Sequence, residues 1–328
     1  MQSIPIAVGV DVAKATLSVC VKYQDGSKRA LSINNIEPDI MEVAELLGNF
    51  SGKIVMESTG HYHWLAALLF SEAGHDVRVI NPLLAKKYSR ANIRKVKSDK
   101  VDAEMLAYIA LHEEALPTTF NYDRKQLKLR KKLSLIASLG HELQALHAML
   151  NSFQEARAIL EQPASRAERQ VVATLKTLAK QIKKLELEFM SDIETRSNLT
   201  TIPGVSPFLS AIAQHWFVLQ PGQTKKSWIA YAGLDVSVRE SGTWYGQCHV
   251  TKRGNSYLRR RLYSAAWGAY MSHPEFKRYY TYLRARGRSH VEALVIIARK
   301  ITVIMFEMTR TGEAYDPTRP LFVPAVEK

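Results

Sequence analysis

Cysteine is almost absent from this chain of 328 residues: two occur, Cys20 and Cys248. They stand apart in apolar or aromatic surroundings with no CxxC spacing. Neither a disulfide framework nor a cysteine zinc site is expected, and a reducing cytosol is the natural compartment. Long apolar runs are also missing. None approaches the ~18 residues that a bilayer-crossing helix needs, and the opening MQSIPIAVGVDVAK lacks a basic stretch followed by an apolar one, so no membrane span or export leader is expected. Acidic residues are scarce: 31 Asp and Glu face 45 Lys and Arg, a formal charge of +14 with a pI near 9.6. Such an excess favours a polyanionic partner through counterion release. Nucleic acid is the expected partner, although an anionic membrane surface would fit the charge alone.

With 46% hydrophobic residues the chain can bury real cores, and its length suits about two domains at roughly 150 residues each. The opening reads as three β-rich runs, IPIAVGVDVAK, TLSVCVKY and KRALSINN, separated by short turns. An amphipathic helix from about Glu37 to Leu47 follows. Then come a strand at 53–58, a helix HWLAALLFSEA closed by Gly74, and a strand DVRVIN ending before Pro82. A meander followed by alternating strands and helices predicts a mixed α/β sheet.

Residues 123–195 hold one glycine and one proline. Leu129, Leu133, Ile136, Leu143, Leu146, Leu150 and Phe153 make one stripe; Val171, Leu175, Leu178, Ile182, Leu185 and Phe189 make a second at coiled-coil spacing. The stripes fit a helical hairpin within one chain or a seam between two. From Thr200 the texture turns globular again, with a final helix from His290 to Thr311. TIPGV between two apolar runs reads as a helix-hairpin-helix turn whose NH groups could hold a phosphate, or as a plain helix-helix turn. The expected fold is therefore α/β plus α, in three parts: 1–120 with the mixed sheet, 121–196 with coiled-coil helices, and 197–328, mainly helical with a short β-hairpin.

Four carboxylates are candidate chemistry. Asp11 lies within the first strand pattern, where a carboxylate is rare without a partner. Glu57 ends the strand KIVMES. Asp99 and Asp102 share a helix face at i and i+3. Each has an ordinary explanation alone, as a bulge residue, a cap or a helix-start acid. Together they supply the hard oxygen ligands that two Mg²⁺ ions about 4 Å apart would need to hold a phosphodiester. His61 and His63 form an HxH pair beside Glu57, but no third nitrogen or sulfur ligand is near, so they read as helix-start residues rather than zinc ligands.

Two basic stretches are candidates for nucleic-acid contact. Lys86, Lys87, Arg90, Arg94, Lys95 and Lys97 run up to the Asp99–Asp102 pair. Lys252, Arg253, Arg259, Arg260 and Arg261 interleave with Tyr257, offering bidentate phosphate binding beside a stacking ring. VSVRESGTWYGQCHV reads as two β-rich runs around Glu240-Ser241-Gly242. Ser241 stands at the tip, which is ordinary turn chemistry on this reading.

The order GVDVAK, MESTG, KSDKVDA, helical spacer, IPGV, YAGL, RESG and TKRGNSYLRR resembles the DEDD transposases of the insertion-sequence 110 family, which also includes Piv-type DNA invertases. The likeness runs over nearly the whole chain. It implies that 1–120 is a RuvC-like domain of RNase H type in which Asp11, Glu57, Asp99 and Asp102 form the acidic tetrad. It also implies that Ser241 is a nucleophile forming a covalent phosphoserine link to DNA, with Mg²⁺ supporting the exchange. The same resemblance implies donor and target double-stranded DNA as partners, a structured bridge RNA as guide, a dimer-to-tetramer assembly and a cytoplasmic, nucleoid-associated place in a bacterial or archaeal cell. Alternatives are a guide-independent invertase, a RuvC-like nuclease using the tetrad alone, and a basic nucleic-acid-binding protein without catalysis.

Overall fold

A computed structural model describes residues 3–91, 99–193, 198–219, 222–237, 240–241, 244–245, 249–319 and 321. The chain divides into two compact units, Met1–Lys128 and Leu129–Lys328. Among the described residues no helix is long and apolar enough to cross a membrane.

The first unit is the expected meander and crossover sheet. Strands β1 (Pro5–Val12), β2 (Thr16–Tyr23) and β3 (Lys28–Asn34) pair antiparallel. Helix α1 (Glu37–Leu47) carries the chain to β4 (Lys53–Glu57), α2 (His63–Glu72) to β5 (Asp76–Ile80), and α3 (Pro82–Ala91) and α4 (Asp99–His112) complete the unit. The sheet order is β3-β2-β1-β4-β5, with β1, β4 and β5 mutually parallel. Strand alternation sorts β1 into two faces. Val8, Val10 and Val12 point into a core with α1 and α2, whereas Ala7, with Val55 and Ile80, points toward Ala85 of α3 and Leu106 and Ile109 of α4.

Gly9 lies on that second face and sets how near α4 can come. A methyl added there would be 2.1 Å from the Ala103 carbonyl oxygen and 2.2 Å from the Ala107 nitrogen. Cys20, paired with Gly9 across the strands, packs against the same two alanines. Small side chains on three elements therefore let the helix backbone rest directly on the sheet.

In the second unit, α5 (Arg124–Ile159) and α6 (Arg166–Ser191) form the antiparallel hairpin. Ion pairs Lys132–Asp192 (2.6 Å) and Arg157–Glu168 (3.5 Å) mark its two ends, and Ser165 with Glu168 caps α6 reciprocally. The two stripes meet over the lower half only: Leu129, Leu133, Ile136, Leu175, Ile182 and Phe189 are buried, while Leu146, Phe153 and Val171 are exposed at 37%, 61% and 49%. Two helices that project beyond a core cannot cover all their apolar residues with each other.

A 3-10 turn (Asn198–Thr201) leads to α7 (Pro207–Leu219) and α8 (Lys225–Tyr231), then to short strands β6 (Val236–Ser237), β7 (Glu240–Ser241), β8 (Trp244–Tyr245) and β9 (His249–Val250). Helices α9 (Ser256–Ser272), α10 (Pro274–Ala285) and α11 (His290–Thr311) close the unit. Leu262 and Ala266 of α9 pack with Ile297 and Ile301 of α11 at its centre. The TIPGV turn joins the 3-10 turn to α7. Its glycine, Gly204 at φ +81°, lies so close to α9 that a methyl would be 2.1 Å from the Ala265 carbonyl. Here the glycine serves packing against α9.

Candidate functional site

Two of the four candidate carboxylates end neighbouring strands at one end of the first sheet, and a third, Asp102, is near enough to Glu57 to act on its charge. β1 and β4 run parallel with Gly9 beside Val55 and Val10 beside Met56, so one step further places Asp11 alongside Glu57. Both share the alternation of Ala7, Gly9 and Val55, the face that α4 covers. They stand at the carboxyl ends of neighbouring parallel strands. There the chain leaves β1 toward β2 on one side and has β4 on the other, the place where open α/β sheets bind ligands. Asp102 lies in the first turn of α4, one turn before the buried Leu106. Burial pushes the Glu57 carboxyl up from its ordinary value, and the Asp102 charge pushes it further. The two carboxylates are thus close enough to repel, which a hard divalent cation between them would relieve.

Asp99 is the first residue of α4 and shares the Asp102 face by its spacing; its side chain lies outside the described residues. Among the described residues no group of three or more Asp, Glu, His or Cys side chains is gathered tightly enough to hold a metal ion alone. His63 opens α2 as a buried residue, matching its reading as a helix-start residue. Lys86 and Lys87 are exposed on α3, opposite its buried Ala85. The Arg90 side chain, and Arg94, Lys95 and Lys97 altogether, fall outside the described residues.

In the second unit Ser241 is the last residue of β7, paired with Trp244 of β8, so it adjoins the tip of a hairpin. Its side chain, and Cys248, lie outside the described residues. This hairpin is nested within the β6–β9 pair, where Val236 meets Val250. The ribbon's base is held by two glycines that had no assigned part in the sequence reading. Gly233, at φ +64°, packs on Gly254, and a methyl on Gly254 would be 2.3 Å from the Gly233 nitrogen and 2.1 Å from the Tyr231 carbonyl. The YAGL and KRGN segments are therefore two halves of one backbone contact. Asn255 completes it by capping α9 at Leu258 and donating to the Tyr231 hydroxyl at 3.1 Å. Lys252, beside the clamp, is held at φ +55°, a left-handed conformation that a residue with a Cβ adopts at a cost. It and Arg253 are exposed.

The three arginines of α9 also make contacts within the chain. Arg259 donates to the Ala232 carbonyl at 3.4 Å, Arg260 to Gln144 of α5, and Arg261 to the buried Glu186 of α6 and to the Tyr257 hydroxyl at 2.7 Å. Arg261 also lies over the Phe208 and Tyr257 rings, at 5.1 and 5.0 Å. These groups tie α9 to α8 and to the hairpin, and Lys252 and Arg253 of that stretch are exposed. Local sequence could not show this, because the partners lie 27 to 116 residues away.

Comparison with known proteins decides the family. Residues 8–156 match the DEDD transposase model of IS110 type, and residues 196–281 match that of the transposase IS116/IS110/IS902 family. The chain belongs to the IS110-type transposases. One relative is the insertion element IS110 uncharacterized 43.6 kDa protein of Streptomyces coelicolor, 31% identical over 37% of this chain and 30% of that protein. Another is the pilin gene-inverting protein of Moraxella lacunata, 24% identical over 94% of this chain and 97% of the relative. Its counterpart from Moraxella bovis shows the same identity and coverage.

Proposed function

We propose that the chain is a DNA recombinase of a mobile insertion sequence, cutting and rejoining DNA through a serine ester with metal-assisted chemistry. The observation that carries the reading is the convergence of Asp11 and Glu57 on adjacent parallel strands, with Asp102 near enough to raise the Glu57 carboxyl. An antiparallel meander followed by two parallel strands supports a RuvC-like domain of RNase H type. The carboxylates Asp11, Glu57 and Asp102, with Asp99, are the residues that would hold Mg²⁺; the bound ion would neutralise charge on a phosphodiester. In the proposed step the Ser241 hydroxyl oxygen forms a bond to phosphorus and gives up its proton. The P–O bond to one deoxyribose breaks, and the freed sugar oxygen takes a proton. Phosphodiester energy is thereby kept in the serine ester, and attack by another strand's hydroxyl restores Ser241.

The position of Ser241 at the end of β7 suits this role, since the glycine clamp holds the base of the ribbon. The acidic cluster and the serine lie in different units, so the reading brings them to one phosphodiester, within a chain or between subunits of a dimer to tetramer. The test is a denaturing gel of protein incubated with DNA flanking its own reading frame. Ser241→Ala is expected to form no covalent protein-DNA adduct while binding DNA as the wild type does. Asp102→Asn, and chelation of Mg²⁺, are expected to abolish strand exchange. Adducts formed by Ser241→Ala would refute the reading.

The full-length likeness to pilin gene-inverting proteins favours a second reading, site-specific inversion without a guide. Sequencing the RNA that copurifies with the protein separates the two. A defined structured species supports the guided transposase, and its absence supports the invertase.

A further inference from the structure

The corner between α10 and α11 gathers cations and aromatic rings that neither the acidic site nor the serine ribbon uses. Along α9, Ser264, Trp267 and Met271 recur at helical spacing on an outward side, and Trp267 and Met271 are exposed at 46% and 66%. A lone exposed apolar residue means little. This one is braced from behind: the Trp267 ring stands edge-on to His290 at 5.3 Å, the Tyr280 hydroxyl bonds His290 Nδ1 at 2.6 Å, and the Tyr280 ring lies 4.1 Å from that of Tyr270, tilted by 39°. The indole is thereby fixed while part of its surface stays open.

Beside it runs the turn Arg284-Ala285-Arg286-Gly287-Arg288, exposed throughout, and no acidic residue occurs between Glu275 and Glu292. Arg284 donates once to the Arg288 carbonyl at 2.6 Å and Arg286 once to the Tyr282 hydroxyl at 2.8 Å. Each contact uses one of five guanidinium N–H groups and holds the side chain in place. Glu292 does not neutralise the turn, because its carboxylate accepts from the Ser289 nitrogen at 2.8 Å to cap α11. The Ser289 bonds chiefly, then the charges of Arg288 and His249, hold the Glu292 carboxyl below its usual range.

We propose that this corner binds unpaired nucleotides, with a base stacked on Trp267 and phosphates along Arg284, Arg286 and Arg288. A fixed, half-open indole offers a π-surface that any exposed base can cover, whereas bases within a duplex already stack on each other. Three cations in five residues supply the backbone contacts. The surroundings favour a polyanion over a protein partner, since the exposed arginine turn leads straight into His290, which touches the Trp267 ring, with no acidic residue between Glu275 and Glu292. The site rests on the recombinase reading for its purpose but not for its chemistry.

The experiment is fluorescence anisotropy of the full chain with labelled 20-nucleotide oligo(dT) and oligo(U) and a 20-base-pair duplex, without divalent metal. Trp267→Ala is expected to weaken binding of at least one single strand about tenfold and to leave duplex binding unchanged. Trp267→Phe should retain most of the affinity. The triple variant R284Q/R286Q/R288Q should reduce the slope of log affinity against log salt by about 2 on the same strand. Which strand responds identifies DNA or RNA as the source of the unpaired nucleotides. Wild-type affinity of Trp267→Ala for both strands, an equal loss on the duplex, or a fall in oligomeric mass by light scattering would each overturn the proposal. Ser241→Ala should bind these probes normally. Absence of covalent adducts from the wild type, together with the Trp267 effect, would therefore sink the recombinase reading and leave this site standing.

Discussion

His215 shows how one side chain can set a pH limit on the second unit. It is buried on α7 against Phe189 and Trp216, and burial first, then the Arg130 charge, pulls its pKa from 6.5 to about 4. The folded chain resists a proton that the unfolded chain accepts. Stability is therefore full above about pH 6.5 and falls as pH drops toward 4, by about 3 kcal/mol over that window. Melting curves from pH 7 to 4.5 should show that loss, and His215→Leu should flatten it. Glu57 works in the opposite sense, since its raised pKa makes ionisation costly in the fold as pH rises past the ordinary Glu range. The strand positions of Asp11 and Glu57 were legible because a charge inside a strand pattern breaks an alternation; the burial of His215 was not, because Gln-His-Trp on an apolar helix does not tell which face is inside.

At the scale of elements, the position of Asp102 depends on a glycine. Gly9→Ala would drive a methyl into the backbone of α4, and backbone cannot rotate away. Overpacking of this kind costs about 1–3 kcal/mol. It should also shift the helix start, so strand exchange measured well below the melting temperature is expected to fall far more than stability does. Retained exchange in this variant would uncouple α4 from the site. Helices α1 and α11 were readable to the residue, because periodicity and terminal signals such as the Ser289–Glu292 capping box and Gly312 are local. The contacts of the TIPGV glycine and of the α9 arginines were not legible for the converse reason. Their roles are decided by Ala265, Gln144 and Glu186, partners distant in sequence that no local pattern announces.

The whole molecule leaves apolar surface where the hairpin outruns its core. Met149 and Phe153 of α5 are exposed at 62% and 61%, and Ile159 at 82%. If that end joins copies of the chain, the double variant Met149→Ser/Phe153→Ser should lower the mass seen by light scattering and leave helicity unchanged. An unaltered mass would show that assembly uses another surface. The glycine clamp has a different consequence. Because Gly233 and Gly254 meet through backbone, the two ends of the intervening segment stay fixed whatever that segment contains. The ribbon is thus a cassette: relatives could lengthen, shorten or exchange it without disturbing the helices below, and only the two glycines would have to change together or not at all.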